Sequence, residues 1–265
     1  SMTYRVIGLI EAEMGDFSWE RPDAARTMLK AVEEFAPECS YIKVFASEML
    51  DYVVDEGVQI HGGYGFHQDY AVEHAYCDSR INRIFEGTNE INRLLATGML
   101  LKRAQRGQLP LVEAVKKLQA EMLSGPAASG SDRVANAKKA GLLVLGVAYQ
   151  RYLNQLEEQQ EILAGITDIL MSTFAMESAS LRAQKIAGSG RNAENAMEMA
   201  EVFAQEAMET VDCAARAVLA ACSEGDELRT NLAVLRRFTK REPANLIELR
   251  RKIAQRLLQA ERYTV

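Results

Sequence analysis

Proline is scarce in this chain, and its scarcity is the strongest constraint on the fold. Only five of the 265 residues are proline, while Ala, Leu, Glu and Arg are plentiful. Because proline interrupts helices and these four residues favour them, the sequence is typical of a mostly helical protein. Several segments also repeat apolar residues every three or four positions, as helices packed against a core require. The predicted fold class is all-α.

The predicted helices form two groups. The first group covers approximately residues 2–14, 23–35, 37–62, 72–81 and 88–103, and the second covers 111–123, 133–155, 160–187, 193–222 and 245–261. Residues 124–132, SGPAASGSD, resemble a linker because small and polar residues dominate them. We therefore predict a helical domain over 1–108, a connecting segment over 109–134 and a second helical bundle over 135–265.

Charge and cysteine usage exclude several classes of protein. The net charge of −6 and the isoelectric point near 5.3 argue against nucleic acid as a main partner. The longest uninterrupted apolar run, near residues 140–149, is too short to span a bilayer, and no signal-peptide pattern opens the chain. The four cysteines lack CxxC spacing, which favours reduced thiols in a cytosolic or organellar protein over a disulfide framework.

A glycine-rich segment, QIHGGYG, occupies residues 59–65. Its glycines allow backbone amides to approach a ligand closely, and such a turn can bind a phosphate through its N–H groups. A plain connection between two helices is the alternative. No predicted strand precedes the segment, so the dinucleotide-binding fingerprint of Rossmann folds does not apply.

A second unusual segment, EGTNE, occupies residues 86–90 within an otherwise helical pattern. Thr88 can cap the helix that follows, and the amides at a helix start can bind a cofactor phosphate. Glu86 follows Ile84 and Phe85 and precedes Gly87. Apolar surroundings would make its carboxylate a stronger general base near neutral pH. An ordinary surface acid at a helix junction is the alternative.

No metal site is predicted. The chain has three histidines, His61, His67 and His74, and their spacings do not place them on one helix face. The chain also has no E-x-x-H pair of the kind found in di-iron helical bundles.

Four linked motifs in residues 58–94 resemble the C-terminal motif region of the acyl-CoA dehydrogenases. The chain has QIHGGYGF at 59–66, VE at 72–73, CDSRI at 77–81 and FEGTNEI at 85–91, in the order in which the family carries them. The family more often has Pro at the position of Ala71 and Arg at the positions of His74 and Cys77. Several motifs in the right order are much more specific than any one of them.

The resemblance implies an FAD-dependent enzyme that oxidises fatty acyl-CoA to trans-2-enoyl-CoA. It implies that Glu86 is the general base, that Gly87 adjoins the thioester, and that Thr88, Asn89 and Glu90 lie along the FAD. The residues implied to contact the adenosine diphosphate end of FAD, usually that of a neighbouring subunit, are Gln59, Ile60, His61, Gly62 and Gly63. A homodimer, electron-transferring flavoprotein as the electron acceptor, and a cytoplasmic location in bacteria or the mitochondrial matrix in eukaryotes are implied as well.

The resemblance also indicates which part of a family member this chain matches. Family members carry an N-terminal helical domain and a middle β-domain, and the similarity here begins at Met2, within their C-terminal four-helix domain. We therefore expect an incomplete four-helix domain that belongs to a longer enzyme and is inactive by itself. A non-catalytic helical scaffold or assembly module derived from the family is the alternative.

The helices after about residue 109 are similar to the extra C-terminal domain of long-chain and very-long-chain members. There it packs over the dimer and aids membrane association, so peripheral membrane contact is implied. The arginine-rich segment 236–251 is interpreted as a solvated face, with docking of a partner or of acidic lipid headgroups as the alternative.

Overall fold

The computed structural model describes residues 1–123 and 132–263. Within these ranges all regular structure is helical, which confirms the predicted all-α class. Most of the predicted linker, residues 124–131, lies outside the described residues.

The described residues contain eleven α-helices and three short 3₁₀ helices. The α-helices are α1 (Met2–Met14), α2 (Ala24–Glu34), α3 (Ala36–His61), α4 (Ala71–Ser79), α5 (Asn89–Gln105), α6 (Leu111–Leu123), α7 (Arg133–Tyr152), α8 (Gln160–Gly188), α9 (Glu194–Cys222), α10 (Gly225–Thr239) and α11 (Leu246–Ala260). The 3₁₀ helices are Gly62–Phe66, Arg80–Arg83 and Leu153–Glu158.

The chain divides into two compact units. The first is Val6–Lys102, and the second combines Ser1–Arg5 with Arg103–Val265. Helix α6 therefore belongs to the second unit, in line with the predicted second group of helices, although the predicted connecting segment over 109–134 includes it. The domains at 1–108 and 135–265 remain a prediction.

Helix α3 is the long element of the first unit. Pro37 stands in its first turn, where its missing N–H leaves no hydrogen bond unmade. One face of the helix buries Tyr41, Val44 and Val54, and α4 packs along it. The helix ends at His61 and is followed by Gly62, whose φ of 60° and ψ of −142° suit only glycine. This face therefore holds the core of the unit, and the end of the helix leads into the glycine-rich turn.

Helices α8 and α9 form the centre of the second unit, and α7 packs on both. Ile166, Ile169, Val211 and Leu219 are fully buried there. Among the described residues α8 alone is long and apolar enough to cross a membrane, but 61% of its apolar window is buried inside the protein. The burial identifies α8 as a core helix of this unit.

Three local predictions differ from the structure. Helix α10 was not predicted, because charged residues dominate its surface and its buried side chains cluster near its end, at Val234, Leu235 and Phe238. The predicted helix over 133–155 ends at Tyr152, since Leu153 adopts a φ of 49°. The predicted helix over 23–35 begins at Ala24, and the Asp23 carboxylate before it accepts two hydrogen bonds from Arg21 and makes no capping bond.

The arginine-rich segment 236–251 includes the end of α10 and the start of α11. It is largely solvated, as interpreted from the sequence, because four of its five arginines are exposed: Arg236, Arg237, Arg250 and Arg251. Arg241 pairs with Glu209 at 3.1 Å, and Arg250 pairs with Glu206. Both carboxylates lie on α9. These ion pairs attach the segment to the centre of the second unit.

Candidate active site

The EGTNE segment forms a left-handed turn in front of α5. Glu86 has a φ of 55° and Gly87 a φ of 76°. A left-handed conformation is uncommon for a residue with a side chain, so Glu86 is held in a strained position. The hydroxyl oxygen of Thr88 accepts a hydrogen bond from the Ile91 N–H at 3.2 Å, which confirms the predicted cap of the helix.

The carbonyl oxygen of Gly87 accepts two hydrogen bonds. The Lys43 ammonium on α3 donates one at 2.7 Å, and the Asn92 side-chain amide on α5 donates the other at 2.8 Å. A Cβ atom at Gly87 would lie 3.1 Å from Nδ2 of Asn92. Both the positive φ and this close contact favour glycine at the position.

A buried polar network lies beneath the turn. Lys43 also donates to Oδ1 of Asn89 at 2.7 Å, and the Asn89 side chain is only 2% exposed. Its amide donates to the Ser47 hydroxyl at 2.9 Å and to Glu48 at 3.1 Å. Glu48 in turn accepts two hydrogen bonds from Arg93, at 2.7 and 2.9 Å. The network joins the first half of α3 to the start of α5.

The Asn89 side chain is fully used inside this network. Its position explains how the residue stabilises the turn. A contact of Asn89 with a cofactor, which the resemblance implied, would have to come from its backbone.

The side chain of Glu86 is exposed, and so are those of Ile84 and Phe85, each by 48%. The apolar enclosure that the sequence suggested for Glu86 is therefore not formed by this unit itself. The Glu86 carboxylate becomes desolvated only when a second surface covers the turn.

Two charged groups beside the turn have shifted pKa values. Burial lowers the pKa of Lys43, while the neighbouring carboxylates of Glu90, Glu48 and Glu86 oppose that shift. The pKa of Glu90 is lowered because its carboxylate accepts a hydrogen bond from its own backbone N–H at the helix start, with a further contribution from Thr88. The start of α5 therefore favours negative charge.

The glycine-rich turn lies at the other end of α3. Gln59 to Gly63 are exposed, and nothing stands within 4 Å of a Cβ atom built on Gly62 or Gly63. Gly65 is buried, and a Cβ atom there would lie 2.6 Å from the Val58 carbonyl oxygen. The turn is thus packed tightly on its inner side and open on its outer side, as a ligand-binding turn requires.

The two candidate segments do not form one pocket within this chain. Lys43, beneath the EGTNE turn, and Gln59 are sixteen residues apart on α3, so about 24 Å of helix separates them.

Sequence reasoning missed Lys43, Asn92, Ser47 and Glu48. The sequence did contain a signal for Lys43, which lies between the apolar residues Tyr41, Val44 and Phe45. A cation on a partly buried helix face requires hydrogen-bonding partners, so its position indicates a polar contact. Its partner at Gly87 is 44 residues away and could not be identified from local spacing.

No group of three His, Cys, Asp or Glu side chains suited to a metal ion occurs in the described part of the chain. His61 instead hydrogen-bonds the Gly57 carbonyl at 2.8 Å, and His74 hydrogen-bonds the Gln68 carbonyl at 2.6 Å. All four cysteines are free thiols, and burial raises the pKa of Cys222 to about 11.

Comparison with known proteins identifies the family. Two family models, both described as the acyl-CoA dehydrogenase C-terminal domain, match residues 22–100 and 136–237. A probable acyl-CoA dehydrogenase of Bacillus subtilis is 46% identical over the whole chain. The chain belongs to the acyl-CoA dehydrogenase family. It corresponds to the C-terminal portion of these proteins and covers 46% of the B. subtilis protein.

A solved structure extends the comparison. The crystal structure of an acyl-CoA dehydrogenase complexed with FAD from Bacillus anthracis matches with a TM-score of 0.95 and 46% identity, over all of this chain and 47% of that one. The caffeyl-CoA reductase-Etf complex subunit CarC of Acetobacterium woodii is 38% identical over 79 residues, which are 30% of this chain and 21% of that protein. The chain thus spans about half the length of the full-length relatives that it matches end to end.

Proposed function

We propose that this chain is the C-terminal part of an FAD-dependent acyl-CoA dehydrogenase that converts fatty acyl-CoA to trans-2-enoyl-CoA. The general base in this proposal is Glu86. The observation that supports it best is the turn itself, where an exposed carboxylate stands on a strained backbone fixed by hydrogen bonds from both α3 and α5. Strain of this kind is concentrated at functional sites.

The α-proton of a thioester is weakly acidic, so its removal requires a correctly positioned base in a site without bulk water. Glu86 takes this proton onto its carboxylate. Gly87 has no side chain and leaves room for the thioester beside the base. FAD, when bound, supplies the redox chemistry by accepting the β-hydrogen as hydride.

The residues of this chain suit FAD at two places, which the proposal assigns to the FAD molecules of neighbouring subunits. The open outer side of Gly62 and Gly63 suits the pyrophosphate and adenosine end, with Gln59, Ile60 and His61 beside it. Thr88, Asn89 and Glu90 stand at the start of α5, beside the base. The B. anthracis relative, which was crystallised with FAD, supports FAD as the cofactor.

The proposal also includes the partners of the complete enzyme. Electron-transferring flavoprotein is the proposed electron acceptor, and the A. woodii relative, named as a subunit of an Etf complex, supports it. A homodimer is proposed because α3 leaves apolar side chains uncovered in this chain, including Met49, Tyr52 and Val53, which are 49%, 66% and 54% exposed. Such an enzyme would act in the cytoplasm of a bacterium.

The first prediction tests the base directly. Glu86→Gln in the complete enzyme should lower kcat with a saturated long-chain acyl-CoA by about 10³-fold or more, because the amide cannot accept the α-proton. The FAD content should stay unchanged. Flavin reduction by substrate, followed as loss of visible absorption under anaerobic conditions, measures the step.

Glu227→Gln is the matched control, because Glu227 is an exposed acid on α10, outside the site. The isolated chain should show no turnover, since its Glu86 and its glycine-rich turn are both uncovered. Full activity of Glu86→Gln would contradict the proposed function.

A further inference from the structure

We infer that Lys43 is a positioning residue, whose hydrogen bond to the Gly87 carbonyl holds the left-handed Glu86–Gly87 turn so that the Glu86 carboxylate faces the substrate. The inference rests on the proposed function of Glu86 as the base. The geometry around Gly87 points to it independently of any bound ligand.

The turn needs support from outside. Glu86 has a Cβ atom and a φ of 55°, a conformation that costs free energy relative to ordinary backbone. Such a residue persists only where surrounding contacts determine its conformation. The hydrogen bonds to the Gly87 carbonyl supply such contacts immediately after the strained residue.

The two donors differ in what they connect. Asn92 lies five residues beyond Gly87, so its hydrogen bond is local to the turn and α5. Lys43 lies on α3, and its hydrogen bond attaches the turn to the longest helix of the first unit. Lys43 is also the charged donor, and hydrogen bonds from a cation are stronger than neutral ones.

Further hydrogen bonds fix the position of Lys43 itself. Its second hydrogen bond goes to Asn89, whose side chain is almost fully buried and is held by Ser47 and Glu48. The ammonium therefore has a defined location rather than the freedom of a surface lysine. Carbonyl oxygens on the turn and on Asn89, both 2.7 Å away, define that location.

The test compares Lys43→Met and Lys43→Arg in the complete FAD-bound enzyme. Methionine keeps the length and the apolar stem but removes the donor, so kcat should fall about 10- to 100-fold with KM changed less than about threefold, since small misplacement of a reacting group has effects of this size. Arginine keeps a cationic donor and should restore most of the loss. Lys30→Met, an exposed lysine on α2, is the control with unchanged activity.

Hydrogen–deuterium exchange distinguishes a role in holding the turn from a role in overall stability, because only the first changes exchange locally. In Lys43→Met the backbone amides of residues 84–92 should exchange about tenfold faster, while exchange in the rest of α3 stays as in the parent protein. If Lys43→Met does not fold, Lys43→Leu, which also lacks a hydrogen-bond donor, takes its place in both measurements.

A kcat within threefold of the parent enzyme, or unchanged exchange over residues 84–92, would overturn the inference. A lowered melting temperature with unchanged kcat would overturn it as well. The Glu86→Gln result separates this inference from the proposed function. If Glu86→Gln remains active, the proposed base is wrong, and the exchange measurement still decides whether Lys43 holds the turn.

Discussion

At the scale of single residues, the glycines of the QIHGGYG segment have different physical roles. A Cβ atom on Gly65 would lie 2.6 Å from the Val58 carbonyl oxygen and 2.9 Å from Val58 Cα, and backbone atoms cannot move aside easily. Gly65→Ala should therefore lower the free energy of unfolding by about 1–3 kcal/mol, as overpacking does. Gly63→Ala should leave stability within about 0.5 kcal/mol, because nothing stands within 4 Å of its added Cβ atom.

Urea denaturation of the two variants, followed by circular dichroism, measures both values. Equal stability of the two variants would show that the inner side of the turn is not tightly packed. The pair is informative because the substitutions are identical and only two residues apart.

The same scale shows what local sequence can predict about the site. The Thr88 cap was predictable, because its hydrogen bond to Ile91 spans three residues and depends on local chemistry. The roles of Lys43 and Asn89 were not predictable in this way, because their partners lie 44 and 42 residues away along the chain. Motif order located the EGTNE turn, but only coordinates show what supports it.

At the scale of elements, the packing of α8 on α9 depends on a close approach at Gly165. A Cβ atom there would lie 2.7 Å from Cγ2 of Val218, a stiff β-branched side chain on α9 that is 4% exposed. Gly165→Ala should destabilise the chain by about 1 kcal/mol, because overpacking outweighs the gain in helix propensity. In a Val218→Ala background the same substitution should be neutral or stabilising.

A double-mutant cycle measured by urea denaturation checks this coupling, which we expect to be about 1–2 kcal/mol. Additive effects of the two substitutions would contradict it.

Helix positions themselves were largely predictable, because apolar periodicity is local, as in α8 and α9. Helix α10 was missed because most of its surface is charged and its buried residues cluster near one end.

At the scale of the whole molecule, the sequence predicted an all-α chain in two groups of helices. This was possible because low proline content and apolar periodicity are features of the entire chain. The sequence left open whether Glu86 lies in apolar surroundings or at the surface, and Glu86 is exposed in this chain. The apolar residues before Glu86 indicated a buried site, and whether they are buried depends on surfaces that local patterns do not encode.

Ion pairs between helices make the stability of the second unit depend on pH. Arg133 on α7 donates two hydrogen bonds to Glu201 on α9, at 2.5 and 2.7 Å, and these bonds lower the pKa of Glu201 below its ordinary 4.5. Burial alone would raise the pKa of Glu177, but hydrogen bonds from Lys138 and Arg5 lower it. Because these folded-state pKa values are lowered, the unfolded chain binds more protons as the pH falls.

The contribution of Glu201 to stability is therefore complete above its unfolded pKa, near 4.5, and is lost as the pH falls through the lower folded value. Glu201→Gln should reduce the free energy of unfolding at pH 7 and have a smaller effect at about pH 3, below the unfolded pKa of the carboxylate. Urea denaturation at both pH values measures the difference. An equal loss at pH 7 and pH 3 would show that Glu201 stabilises the bundle by packing and not by its charge.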